Sequence, residues 1–329
     1  MTRSRIGLMA ALWLMWSVVP VAAKEPLPVG TTFPKGFPVI MNYYLGQPVL
    51  GFGAKGPLNR VPVIFLHGNN DTPFATTCNP YGNVHDFAQY LVDNGGYRLS
   101  EVWGLGYQGD QCDLVADETL RSGVAHSTAA AVPILRNFVH AVMKYTGATH
   151  VDIVAHSLGV TVAREWMLQD NAYKIVRKLV AVDGPNHGIV DCSPSADNYW
   201  QMAANGGFIP NSTICDEYGS DQTQLLATLN AGGETPGPTR YLVIMNVAGT
   251  NSGDFVYISA QDGVFPAVPA ADRNGNAHDF SDSALLDGAE KTIALTGEGI
   301  HDPILGTAHL GILNSTDTWS AALAFIQSK

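Results

Sequence analysis

Short apolar runs alternate along this chain with stretches in which apolar side chains recur every third or fourth position. Val61-Pro62-Val63-Ile64-Phe65-Leu66 reads as a strand buried on both faces, closing on His67-Gly68-Asn69-Asn70. Val84 to Asn94 fits a helix: Val84, Phe87, Ala88 and Leu91 share one face, and Gly95-Gly96 stops it. Leu99 to Leu105 is a second strand. Leu135, Phe138, Val139 and Val142 make the stripe of a helix over Ile134–Tyr145, with Pro133 suited to its first turn and Gly147 at its end. Val151 to His156 is a third apolar run, followed by a helix from about Val160 to Gln169. Ile175 to Val182 is a strand that ends at Asp183-Gly184-Pro185. Further strands are expected at Tyr241–Ala248 and Lys291–Leu295, and a closing helix at Asp317–Gln327. Residues 24 to about 60 are rich in Gly and Pro and read as loops with an edge strand near Phe37–Ile40. Residues 190–238 lack a clean period and read as an inserted cap. Strands alternating with helices imply an α/β fold with a mostly parallel central sheet and helices on both faces. No repeat or linker divides residues 24–329, so one catalytic-sized domain is expected there.

Composition narrows the class. The 329 residues are 46% hydrophobic and 14% charged, with a net charge of −11. That balance argues against nucleic acid as a partner and offers no polybasic membrane patch. Arg3 and Arg5, an apolar run from Ile6 to about Val19, and Val21-Ala22-Ala23 form the pattern of a cleaved secretory signal over residues 1–23. The run is short for a membrane span and is interrupted by Pro20, so no stable anchor is expected after cleavage. The four cysteines all follow that segment. An even count in a secreted chain favours disulfides, and Cys78–Cys112 with Cys192–Cys215 is the preferred pairing, each closing a loop above the same sheet edge. No C-x-x-C pair suggests zinc. His85-Asp86 and His187 have no second ligand at helical spacing and read as structural, so no metal and no cofactor are expected. Asn70-Asp71-Thr72, Asn211-Ser212-Thr213 and Asn314-Ser315-Thr316 match glycan acceptors; a glycan on Asn70 would crowd the loop that follows the Val61–Leu66 strand, so that site is expected bare.

The chemistry centres on Ala155-His156-Ser157-Leu158-Gly159. A serine straight after a buried strand, with small residues two before and two after it, marks a nucleophile elbow. A serine hydroxyl needs a base, and the partners are expected later in the order Ser, Asp/Glu, His. Asp262, in Gln261-Asp262-Gly263-Val264, is the expected acid, with Asp254 as its rival. His309, in Ala308-His309-Leu310-Gly311, is the expected base, with His301 as its rival. The backbone N–H groups of Leu158 and Asn69 are expected to form the oxyanion hole.

With those residues placed, the chain resembles secreted α/β-hydrolases of two related groups. Ala155-His156-Ser157-Leu158-Gly159 with His309-Leu310-Gly311-Ile312-Leu313 is similar to the bacterial class 2 lipases. Phe65-Leu66-His67-Gly68-Asn69, the helix ending Lys144-Tyr145-Thr146-Gly147, and Val151–Val160 are similar to the extracellular poly(3-hydroxybutyrate) depolymerase acting on amorphous polymer. The resemblance spans roughly residues 61–185 and is absent over 190–238. It implies an α/β-hydrolase fold and carries the family triad onto Ser157, Asp262 and His309, with oxyanion donors at Asn69 and Leu158. It implies a secreted or periplasmic serine hydrolase acting on a hydrophobic ester, a lipase or esterase first and a polyester depolymerase second. An acyltransferase and a non-catalytic binding protein on the same scaffold are the remaining readings. Oligomeric state is not legible.

Overall fold

A computed structural model describes residues 25–30, 33–77, 79, 84–108, 127–189, 192, 212–246, 274–276, 280, 282–295 and 308–329. An eight-stranded sheet runs through the molecule in the order β1-β4-β6-β5-β7-β8-β9-β10. Its strands are β1 (Val29–Gly30), β4 (Leu50–Phe52), β5 (Val63–Leu66), β6 (Val102–Gly106), β7 (Val151–His156), β8 (Val176–Val182), β9 (Arg240–Asn246) and β10 (Lys291–Leu295). β6 through β10 pair in parallel, and only β1 and β4 run antiparallel at one edge. A separate hairpin joins β2 (Met41–Asn42) to β3 (Gln47–Pro48), in place of the edge strand expected at Phe37–Ile40.

Alternation along the strands divides the core into two layers. Ile64, Leu66, Ile153, Ala155, Leu179, Ala181 and Val243 face one side, where α2 (Thr128–Thr146) supplies Leu135, Phe138, Val139 and Val142 and α3 (Leu158–Asp170) supplies Val162 and Trp166. Val63, Phe65, Val154, Val180, Val182, Leu242 and Ile244 face the other, covered by Phe87 and Leu91 of α1 (His85–Gly95) and by Phe325 and Ile326 of the closing helix, Thr316–Gln327. Strands buried on both faces explain the continuous apolar runs. Asp152 is the charged exception within β7; Arg177 holds its carboxylate, donating from Nε at 3.0 Å and also from Nη2.

Three boundaries differ from expectation. The second strand begins at Val102, because Leu99–Glu101 forms a 3-10 turn held by the Glu101 carboxylate on the Arg98 N–H at 2.8 Å. α2 starts at Thr128, six residues before the expected start at Ile134, because Ser127 caps it through its hydroxyl on the Ala130 N–H at 3.2 Å. Pro133 consequently lies inside the helix, beyond the first turn. Part of the segment expected as a cap packs into the core. There α4 (Thr213–Tyr218) and α5 (Gln224–Asn230) bury Ile214, Tyr218, Leu226 and Leu229 in the same layer as α2 and α3. Helices this short show no period in sequence. Cys192 and Cys215 form a disulfide across this segment, with Cα atoms 5.4 Å apart. Cys78, Cys112 and residues 1–23 lie outside the described residues. No helix among the described residues is long and apolar enough to cross a membrane.

Candidate active site

Ser157 stands between β7 and α3 with φ 54° and ψ −129°, a conformation that side-chain-bearing residues rarely adopt. The sequence folds this way because its neighbours leave room. A Cβ on Gly159 would fall 2.6 Å from the His67 carbonyl oxygen, so only glycine permits the approach of helix to strand. The Ser157 N–H donates to the Val182 carbonyl at 2.9 Å, and its own carbonyl accepts from Val160 N–H at 2.9 Å, starting the helix. Leu158 is the first residue of α3, where the N–H groups have no partner within the helix and the dipole favours an oxyanion.

The loop after β5 passes directly beside the serine. A Cβ on Gly68 would lie 2.9 Å from Ser157 Cβ and 2.9 Å from an Asp71 carboxylate oxygen. Gln108, buried just past β6, pins this loop with both ends of its amide. Its Oε1 accepts from Asn70 N–H at 2.8 Å and its Nε2 donates to Asn69 Oδ1 at 3.1 Å. His67 stacks flat on Tyr107, with ring centroids 4.3 Å apart, and the Tyr107 hydroxyl donates to the His67 carbonyl at 2.5 Å. Burial lowers the His67 pKa to about 4, against an opposing bond to the Gly68 carbonyl, so this ring is neutral.

His309 enters the same space from α6 (Ala308–Gly311) and is buried. The residue before Ser157 holds it there. His156 Nε2 donates to the His309 carbonyl at 2.8 Å, and the two rings lie 4.6 Å apart. Burial, and then the His309 charge, hold the His156 pKa well below its ordinary range, so His156 is a neutral donor. Two carboxylates border the histidines. Asp71 lies 3.8 Å from His156 Nδ1. Its pKa is pushed up to about 6 by burial, against the charge of His309 and bonds from Asn79 and Gly68. Asp183, at the tip of β8, places Oδ2 3.4 Å from His309 Nδ1.

The fold therefore brings Ser157, His309, Leu158 and the loop bearing Asn69 to one edge of the sheet. The expected acid Asp262, its rival Asp254 and the alternative base His301 lie outside the described residues. Asp71, Gln108, His156 and Asp183 were not singled out from sequence. Asp183 had a readable signal: it follows an apolar run directly and satisfies the order Ser157, Asp, His309. The histidines read as structural have local partners, His85 with Asp86 at 3.2 Å and His187 with Glu234 at 3.4 Å. No cluster of metal-ligating side chains occurs among the described residues.

Comparison with known proteins bears on this arrangement. The family model of the lipases of class 2 matches residues 60–250. No curated protein matches the chain. Among solved structures, the mature form of a lipase from Bacillus licheniformis is similar, with a TM-score of 0.50 at 14% identity over 83% of this chain and 94% of that one. That likeness shows the α/β-hydrolase fold. Lipase B of Aspergillus fumigatus aligns at 13% identity and a TM-score of 0.46 over 82% of this chain and 53% of that one. An esterase from Pyrobaculum calidifontis aligns at 12% identity and a TM-score of 0.46 over 86% and 82%.

Proposed function

Because the chain belongs to the class 2 lipase family, a family of carboxylic ester hydrolases, we propose that it is a secreted serine lipase or esterase working through an acyl-enzyme on Ser157. The observation that carries this reading is the strained Ser157 turn beside the buried His309. His309 takes the serine proton as Oγ attacks the ester carbonyl, then returns it to the leaving alcohol; water releases the acid in a second round. The N–H groups of Leu158 and Asn69 receive the oxyanion. Leu158 is suited to this by its place at the start of α3, and Asn69 by the Gln108 amide that fixes its loop. The chemistry calls for no cofactor.

The signal-like residues 1–23 and the Cys192–Cys215 disulfide support export to an oxidising compartment. A hydrophobic ester is the substrate class. A polyester of the poly(3-hydroxybutyrate) type is the second reading, supported by the similarity of Phe65–Asn69 and Val151–Val160 to the amorphous-polymer depolymerase. Parallel assays on tributyrin, a long-chain triglyceride and amorphous poly(3-hydroxybutyrate) test the assignment. Turnover of a glyceride above a Ser157→Ala control is expected. Turnover of the polymer alone would move the function to the second reading, and no ester hydrolysis above the control would reject both.

A further inference from the structure

Resting on the Ser157–His309 reading, we propose that Asp71 is a positioning residue for the reaction: it shares one buried proton with His156 and thereby ties the loop carrying Asn69 to the backbone of His309. Three segments meet here. Asp71 belongs to the loop after β5, His156 ends β7 immediately before Ser157, and His309 comes from α6. They converge on the bare Cα of Gly68. A Cβ there would fall 2.9 Å from an Asp71 carboxylate oxygen, 2.9 Å from Ser157 Cβ and 3.2 Å from His156 Nδ1. Any side chain at that position would wedge the carboxyl away from the imidazole. Both partners are buried, Asp71 at 7% exposure and His156 at 1%.

The hydrogen bonds fix the proton count. His156 donates its Nε2–H to the His309 carbonyl at 2.8 Å. Burial keeps the ring neutral, so Nδ1 carries a lone pair. Among the described residues that nitrogen has no hydrogen-bond partner, and what faces it at 3.8 Å is Asp71 Oδ2. A buried lone pair set against an ionised carboxylate is two acceptors with no donor, which is unfavourable. One proton on the carboxyl turns the pair into O–H···N and draws the gap, longer than a hydrogen bond, closed. Asp71 O–H then donates to His156, and His156 N–H donates to the His309 carbonyl, in one chain. Burial pushes the Asp71 pKa up to about 6, which keeps the proton on the carboxyl in mildly acidic solution. Above that range an ionised Asp71 faces His309, whose charge opposes the upward shift. The coupling is mutual: the ionised carboxyl strengthens the hold of His309 on a proton. Among the described residues, the other titratable or charged groups around the pair are Tyr107 from the end of β6, His67 from the end of β5, and Asp183 from β8 on the far side of His309.

The test pairs Asp71→Asn with Asp71→Leu in the full mature chain and reads kcat, KM, melting temperature and the pH profile of kcat/KM on a p-nitrophenyl ester. The Asn amide donates to Nδ1 at every pH and stands in for the protonated carboxyl; Leu has similar size and no donor. Both substitutions remove the charge, so in both the acid limb of kcat/KM should move to lower pH. Asp71→Leu should also lose kcat, on the order of tenfold, with KM little changed, and the conservative Asp71→Asn should recover most of that loss. Nitrogen NMR of labelled histidine side chains reads the pair directly. In the parent the His156 Nδ1 signal should titrate with a midpoint near the Asp71 pKa of about 6, and in Asp71→Asn that titration should be lost. Equal kcat in the Leu and Asn variants would overturn the proposal. So would lowered melting temperatures with an unmoved acid limb, the pattern of a purely structural role. A His156 Nδ1 titration of equal size in the parent and in Asp71→Asn would overturn it as well, and that result does not depend on whether Asp71→Leu folds. Failure of the underlying reading is distinct: Ser157→Ala would then remain active, whereas the nitrogen titration requires no activity.

Discussion

Replacing Asp71 by Asn should stabilise the protein in a strongly pH-dependent way. Asp71 is 7% exposed, and burial raises its pKa from 3.8 to about 6. In the unfolded chain the group titrates near its ordinary value, so the folded state holds the proton more tightly. The stability this provides is fully present below about pH 4 and is lost as pH rises to and past about 6. A shift of roughly two pKa units corresponds to about 3 kcal/mol. Asn is an uncharged isostere and does not lose that stability at high pH. Its amide meets the same Asn79 and Gly68 neighbours less well than a carboxylate, so about 3 kcal/mol is the ceiling of the gain. At roughly 1.5 °C per kcal/mol for a domain of about 300 residues, Asp71→Asn should melt up to about 5 °C above the parent at pH 8. Below pH 4 the two should melt together. Calorimetry of both proteins from pH 3.5 to 8.5 measures this. A difference in melting temperature that stays constant across that range would refute the reasoning, because it would mean that the carboxyl titrates alike in folded and unfolded chains.

Three further substitutions probe the supports of the site. Gln108→Leu frees the Asn69–Asn70 loop and should lower kcat on p-nitrophenyl esters by about 10- to 100-fold, with a smaller change in KM. His156→Phe keeps a ring but removes the donor to the His309 carbonyl; kcat should fall about tenfold, and the unpaired carbonyl should cost about 1–3 kcal/mol in urea unfolding. Lys178→Met removes the ammonium that reaches the Phe325 carbonyl at 2.8 Å, the Ile326 carbonyl at 3.0 Å and the Ser328 carbonyl at 2.5 Å. Those carbonyls end the closing helix, and losing their buried cation should lower stability by about 2–4 kcal/mol with kcat unchanged at a temperature where the variant is folded.

What was legible in the sequence follows from what each residue must satisfy locally. β7 and its serine could be read because a strand buried on both faces must be apolar, and the elbow must have small residues at Ala155 and Gly159. The closing helix and Lys291–Leu295 were placed to within a residue for the same kind of reason. The first turn of α2 was not read, because Thr128, Ala129, Ala130 and Ala131 carry no distinctive stripe and the cap at Ser127 looks like any loop serine. Asp183 was passed over because Asp-Gly-Pro after a strand is ordinary turn chemistry. Its place beside Ser157 comes from β8 pairing directly with β7, a long-range fact that no local pattern encodes. Asp71 was hidden inside a glycosylation triplet, and only the fold shows it buried against His156. Gln108 bonds the Asn70 N–H and the Asn69 side chain, and His156 the His309 carbonyl, contacts between distant segments that sequence spacing does not reveal.

The central claim is that Ser157 is the acylated nucleophile. The most direct measurement is intact-mass and peptide analysis after treatment with a fluorophosphonate or a rapidly quenched p-nitrophenyl ester. One stoichiometric adduct is expected on the peptide containing Ser157, formed in step with loss of activity and absent in Ser157→Ala. An enzyme that hydrolyses the ester without modification of Ser157, or with the adduct on another residue, would contradict it.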